Sequence, residues 1–254
     1  MSGLLDGKVA VVTGGGSGIG EAVARLFAAE GCRVVVAGRR PAPIERVADD
    51  IAGLAITTDV GREDDVAALI AACDDAFGRL DILINNAGMV PPRAGVEDQD
   101  TIPWEATFAV NVRGVILCIK HAAPMLKRRG GAIVNMASRV ALHGFPGQIP
   151  YSASKFAVLG ITQSVAQELG PFGVRVNALC PSATLTEEQR QRLAERARDQ
   201  GHTVDEQLET EILTAGALYR AVMPEDVAAT TLFFASNRSS AITGQHLVID
   251  AGRP

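Results

Sequence analysis

The sequence predicts one doubly wound α/β domain of about seven parallel strands flanked by helices, and three observations carry that prediction. Short β-branched runs alternate with longer helical stretches along the 254 residues: Val9–Thr13, Arg33–Ala37, Ala55–Thr58, Ile82–Asn85, Ala132–Met136, Arg175–Leu179 and His246–Asp250. Most of these runs are apolar on consecutive positions, the pattern of a strand covered on both faces and hence of a parallel sheet. The stretches between them are long enough for right-handed crossovers. No linker, low-complexity tract or repeat divides the chain, so residues 1–254 read as a single domain.

Composition narrows the function classes. A hydrophobic fraction of 47% with 21% charged residues is that of a folded globular chain. The net charge of −5 gives no electrostatic reason to expect nucleic acid or an anionic membrane. Cys32, Cys73, Cys118 and Cys180 are scattered without C-x-x-C pairing, which predicts reduced thiols rather than a disulfide framework. No His/Cys/Asp grouping has metal-ligand spacing, so no metal is expected. The start, MSGLLDGKVAVV, lacks the basic and apolar regions of a signal peptide, and no apolar run reaches membrane-spanning length. A cytoplasmic location is the expectation.

The first strand runs into Thr13–Gly14–Gly15–Gly16–Ser17–Gly18–Ile19–Gly20 and then a helix-like stretch. Glycines let the backbone turn sharply and approach a pyrophosphate, and the helix N-terminus offers it free N–H groups. The strand–turn–helix context makes this a dinucleotide site rather than an ordinary tight turn. The second strand ends Ala37–Gly38–Arg39–Arg40, with no acid to grip the ribose 2′-hydroxyl of NAD. Guanidinium groups suit a 2′-phosphate, so NADP(H) is preferred with Arg39 as its contact, and NAD(H) remains possible.

Tyr151 and Lys155 stand four residues apart at the start of a long apolar helix and so share one face. A phenol is a poor acid or base at neutral pH unless a nearby cation stabilises its phenolate, and Lys155 can be that cation. Ser138 lies just past the strand Ala132–Met136, at the carboxyl edge of the sheet where ligands bind.

These pieces, with Asn85–Asn86–Ala87–Gly88 and with Asn111 in VNVRG, resemble the short-chain dehydrogenase/reductase family over nearly the whole chain. The resemblance implies a Rossmann fold and a hydride transfer between a nicotinamide cofactor and a carbonyl or secondary alcohol. It makes Tyr151 the general acid/base and Ser138 the holder of the substrate oxygen. Lys155 would lower the tyrosine pKa and bind the nicotinamide ribose, and Asn111 would help hold a proton-relay water. Gly14, Gly16, Ser17, Gly18, Ile19 and Gly20 would carry the pyrophosphate. Asn86, Ala87 and Gly88 would line the groove, and Asp59 with Val60 would lie at the adenine, although Asp59 also reads as a helix cap. Pro181 and a following threonine, Thr184 or Thr186, would meet the carboxamide. Ser182 stands where the family has glycine, which restricts the backbone there. The resemblance also implies a homotetramer built on helices near 104–128 and 152–169. An NAD-linked dehydrogenase of a sugar alcohol, hydroxy acid or steroid-like alcohol is the rival enzyme; a silent dinucleotide-binding regulator is the rival from another class.

One segment breaks the rhythm. Residues 186–213 read as two short charged helices, each opened by a capping box, at Thr186–Gln189 and Thr203–Glu206, with Gly201 between. Its middle offers little apolar surface, so it reads as a mobile lid over the substrate. His143 and Asp250 carry less: an entrance-loop residue and a strand-end cap.

Overall fold

A computed structural model describes residues 3–253. Its seven strands are β1 (Val9–Thr13), β2 (Arg33–Gly38), β3 (Leu54–Thr57), β4 (Ile82–Asn85), β5 (Gly131–Met136), β6 (Val174–Pro181) and β7 (His246–Ile249). They form one sheet in the order β3-β2-β1-β4-β5-β6-β7, every pairing parallel. β1 pairs Thr13 with Ala37 of β2 on one side and Val12 with Ile84 of β4 on the other. The chain therefore leaves β1 toward β2 and returns at β4, and the switch-point crevice opens between the carboxyl ends of β1 and β4.

The consecutive apolar positions have their reason in two cores. Val9 and Val11 of β1 enter one core with α3 (Glu63–Phe77), α5 (Gly114–Leu126) and α6 (Ile149–Leu169). Ala10 and Val12 enter the other, with α1 (Gly18–Ala29), α2 (Pro41–Asp50) and α9 (Pro224–Ala235). Alternate side chains of a strand point to opposite faces, so a strand feeding two cores must be apolar throughout. The edge strands depart from this: Leu247 and Val248 of β7 are exposed. At the amino edge, buried Asp81 accepts from the Val9 N–H at 2.9 Å and is bidentate on Arg79, which holds its carboxyl below the usual carboxylate range against the opposing effect of burial.

The expectation about membrane-spanning length needs correction. α4 (Thr101–Phe108), a π-helical turn at Ala109–Arg113 and α5 make one helix, Thr101–Leu126, of 26 residues, with a stretch of mean hydropathy 1.3, long and apolar enough to cross a membrane by length and composition. It packs on α3 and α6 and buries Thr107 and Asn111. The polar residues spaced along it hide its length in the sequence.

The charged segment folds as α7 (Glu187–Gln200), α8 (Val204–Leu208) and a π-helical end at Glu209–Leu213. Thr203 and Glu206 form the full capping box. At Thr186 the structure shows one half of it, Oγ1 accepting from the Gln189 N–H at 3.2 Å. The segment is less bare than its composition suggests. Leu193, Ala197 and Ile212 are each 1% exposed; Leu193 and Ile212 join Leu185 and Ala221 in a small core of its own, and Arg196 is bidentate on Glu211.

Candidate active site

Two turns face each other across the switch-point crevice. Gly14 (φ +65°) and Gly18 (φ +55°) take left-handed backbone that only glycine adopts without strain. A Cβ on Gly20 would stand 2.2 Å from the Gly14 carbonyl oxygen, so α1 can begin this close to the turn only without one. Ser17, the N-cap of α1, makes no side-chain cap, which leaves the first-turn N–H groups to a ligand. This cradle fits a dinucleotide pyrophosphate. Across the crevice Asn86 donates from Nδ2 to the carbonyls of Thr13 (3.0 Å) and Gly14 (3.2 Å). Thr13 Oγ1 donates to the Ile84 carbonyl and accepts from the Asn86 and Ala87 N–H groups at 3.0 and 3.1 Å. One hydroxyl thus knits both walls.

Ser138, Tyr151, Lys155 and Asn111 do come together. Ser138 caps a short turn at Arg139–Ala141, its Oγ accepting from the Val140 N–H, and its side chain bears on Tyr151, where it favours the phenolate. Tyr151 stands at the start of α6. Burial raises its phenol above the usual 10, and the Ser138 side chain opposes this; burial, not Lys155, sets the direction. Lys155 Nζ lies 5.8 Å from the Tyr151 ring centroid and donates to the Met136 carbonyl at 2.7 Å. Burial pushes its ammonium down to about 8. Asn111 sits in the π-helical turn, a feature that often marks functional sites. Its Oδ1 accepts from the Met89 N–H at 2.9 Å, and its Nδ2 donates to the Met89 carbonyl and to Ser154 Oγ, each at 3.0 Å. A Cβ on Gly88 would lie 3.4 Å from Asn111 Oδ1 and 3.5 Å from Lys155 Nζ, so the turn after β4 closes on both.

Other expected site residues are placed differently. The Val60 side chain is buried in the core and packs where a Cβ on Gly114 would be, so it has no side chain to give a cofactor. Asp59 Oδ1 accepts from the Gly61 N–H at 2.9 Å, closing its own turn after β3. Arg39 is exposed, whereas the hollow of about 400 Å³ beside Gly16 and Ser17 is lined by Arg40, Ala42, Pro43 and Arg46. Thr184 is buried with Oγ1 turned back to the Ser182 carbonyl. Thr186 instead meets the glycine turn: a Cβ on Gly18 would lie 3.1 Å from its Cγ2. Of the two threonines, the structure therefore brings Thr186 to the crevice. Pro181 ends β6 at the same edge. Ser182 stays outside the left-handed region, which among the described non-glycine residues holds Ala52, Tyr219 and Ala251, so serine is unstrained there.

Sequence reading missed several supports. Asn135 accepts from Asn85 Nδ2 and donates to Thr162 Oγ1, both at 2.9 Å, tying β4, β5 and α6 in the buried core. A polar residue inside the apolar run AIVNM was the available signal. Ser154 Oγ, which accepts from Asn111, donates to the Tyr151 carbonyl at 2.7 Å. Burial lifts the Cys180 thiol, at the same edge of the sheet, to about 11.

Known proteins share this arrangement of elements. Residues 14–253 match the family model described as Enoyl-(Acyl carrier protein) reductase. Secoisolariciresinol dehydrogenase from Forsythia intermedia is 38% identical, covering 98% of this chain and 89% of its own. D-threitol dehydrogenase from Mycolicibacterium smegmatis is 37% identical over 98% of this chain and 93% of its own. The solved 3-ketoacyl-(acyl-carrier-protein) reductase from Brucella melitensis, complexed with NADH, superposes with a TM-score of 0.84 at 35% identity, covering 98% of this chain and 99% of its own. The chain belongs to the short-chain dehydrogenase/reductase family, nicotinamide-dependent oxidoreductases of alcohols and carbonyls.

Proposed function

We propose that this chain interconverts a carbonyl and its secondary alcohol with NADP(H), using Tyr151 as the acid/base. The observation that carries the reading is the grouping of Ser138, Tyr151 and Lys155 at the carboxyl edge of the sheet, with Lys155 Nζ 5.8 Å from the Tyr151 ring centroid and the Ser138 side chain bearing on the phenol. The nicotinamide supplies or accepts the hydride. Tyr151, protonated at neutral pH, gives its Oη proton to the substrate oxygen during reduction, while the Ser138 hydroxyl donates a second hydrogen bond to that oxygen. Lys155 steadies the phenolate left behind. Asn111, clamped to Met89 and Ser154, fixes the β4 turn against the helix that carries Tyr151 and Lys155.

For the cofactor, Gly38 in place of an acid and the arginines around Gly16 and Ser17 support NADP(H), with Asp59 toward the adenine. Arg39→Ala and Arg40→Ala are each expected to weaken NADPH about tenfold and NADH little, since a hydrogen bond to a charged group is worth about 1.5–3 kcal/mol. Fluorescence titration of both cofactors decides it. Tighter NADH binding by the parent protein returns the NAD-linked reading, the one that the NADH-bound Brucella neighbour favours.

The 186–213 segment is read as a lid, since Thr186 starts α7 against the glycine turn and the small core around Leu193 and Ile212 lets it move as a unit. Hydrogen exchange over 187–213 is expected to be fast in the protein alone and to slow on adding NADPH and a substrate. Slow exchange unaffected by either marks a rigid helical pair. Exposed Ile116 on α5 and Phe156 on α6 support assembly into a homo-oligomer through these helices. The free, buried thiols of Cys32, Cys73, Cys118 and Cys180 support a cytoplasmic location.

A further inference from the structure

Tyr151 stands where a helix holds itself least. It is the third residue of α6, and the first four N–H groups of a helix have no partner within it. An N-cap side chain usually supplies one, but Gln148 at this N-cap makes no such bond. Its amide is taken up outside the helix. Arg93 donates from Nη2 and Nε to Gln148 Oε1 at 3.0 and 3.1 Å, with the Gln148 amide oriented as these donors require.

The backbones beside this pair are joined as well. The Ala94 N–H donates to the Gly147 carbonyl at 3.2 Å. Gly147 takes left-handed backbone (φ +73°), and a Cβ on it would lie 3.4 Å from Arg93 Cβ, so the two turns close on each other. Gln99 Nε2 donates to the carbonyls of Ala94 and Gly95 at 2.8 and 3.1 Å, which braces the tip of the loop that follows β4. The root of that loop is held by Asn111, which bonds both Met89 backbone groups and, through Ser154, reaches the Tyr151 carbonyl. The loop therefore grips the helix twice, at Gln148 three residues before Tyr151 and at Ser154 three residues after it.

We propose that Arg93 is a positioning residue for proton transfer: by holding Gln148 it fixes the first turn of α6, and so where the Tyr151 hydroxyl stands relative to Ser138 and Lys155. This rests on the reading of Tyr151 as the acid/base and adds what aims it. Arg93 acts through Gln148 as Asn111 acts through Ser154, and the two supports pin the turn from both ends. A displacement of about 1 Å at a reacting group can cost about 10²-fold in rate, so losing one of two supports should cost about tenfold.

The experiment has a kinetic arm and an optical arm. In the first, Arg93→Ala and Gln148→Met are assayed on a carbonyl that the parent reduces, beside Tyr151→Phe. Each clamp variant is expected to lose about tenfold in kcat, with KM for the cofactor within about twofold of the parent. The double variant should lose no more than either single one, since the same contact is removed once. Gln148→Glu keeps an acceptor for the guanidinium and should hold kcat within about threefold of the parent. The second arm needs no substrate. The chain has two tyrosines, so in a Tyr219→Phe background ultraviolet difference absorbance follows the ionisation of Tyr151 alone. Burial should hold its midpoint above 10, and adding Arg93→Ala should lower it toward 10 as water enters the loosened turn. Parental kcat in folded Arg93→Ala and Gln148→Met proteins, with Tyr151→Phe inactive, would overturn the clamp and leave Tyr151 as the acid/base. Additive losses in the double variant, or a melting temperature that falls while the Tyr151 midpoint stays, would mark a merely structural contact and overturn it too. An active Tyr151→Phe, with the midpoint still moved by Arg93→Ala, would overturn the role of Tyr151 and leave the clamp on its helix standing.

Discussion

Tyr151→Phe is expected to lower kcat by about 10²–10⁴-fold, the range for losing a positioned acid/base, while cofactor affinity stays within about twofold. The change removes one oxygen and keeps the ring. Ser138 Oγ still accepts from the Val140 N–H, so its place in the turn survives. Stability should fall by only about 1 kcal/mol, the usual worth of a hydrogen bond. Steady-state kinetics on any turned-over carbonyl, with a thermal melt as the folding control, checks both halves. Near-parental turnover by a folded variant would falsify the assignment of Tyr151 as proton donor.

Lys155→Met is expected to separate activity from stability. Losing the ammonium beside the phenolate should cost about 10²–10³-fold in kcat, as loss of a preorganised electrostatic partner does. Its effect on folding has the opposite sign. Burial lowers the Lys155 pKa from 10.5 to about 8, a cost of roughly 3 kcal/mol to the folded state where the group is charged in both states. Below pH 8 the folded protein bears this cost in full. From pH 8 to 10.5 the unfolded chain holds a proton that the folded one has released, so the parent gains stability as pH rises. The lost bond to the Met136 carbonyl offsets part of the gain in the variant. Denaturant melts at pH 7, 8.5 and 10 should show the variant's stability relative to the parent falling steadily. A flat difference would mean that Lys155 is not desolvated in solution.

The sheet was legible because its strands must satisfy two cores at once, which writes unbroken apolar runs such as Val9–Val12 into the sequence. The glycine turn was legible for a similar reason, since Gly14, Gly18 and Gly20 each answer a backbone or steric demand that no other residue meets. Less local features were not. Val60 follows Asp59 in sequence, yet the turn after β3 sends its side chain into the core beside Gly114. Thr184 and Thr186 are equivalent on paper; the bridge pairing Thr184 with Val222 decides between them by fixing which one turns inward. Arg40 and Arg46 needed α2 to be placed beside the glycine turn before they counted at all. The lid's small core was hidden because Leu193 and Ile212 lie far apart in a charged segment and meet only once α7 and α8 fold back on each other.

The knitting of the crevice by Thr13 has a consequence for how such a chain can change. The bonds that hold the reacting end, through Thr13, Asn86, Asn111 and Ser154, run from β1 through β4 to α6. The arginines at the adenosine end belong to β2 and α2, on the far side of β1, where Glu21 holds Arg46 in a bidentate pair. The two ends share the glycine turn but none of these side-chain bonds. On the proposed reading, substitutions at Arg39, Arg40 or Arg46 would retune which dinucleotide is taken without disturbing the geometry of proton transfer, because neither set of bonds runs through the other.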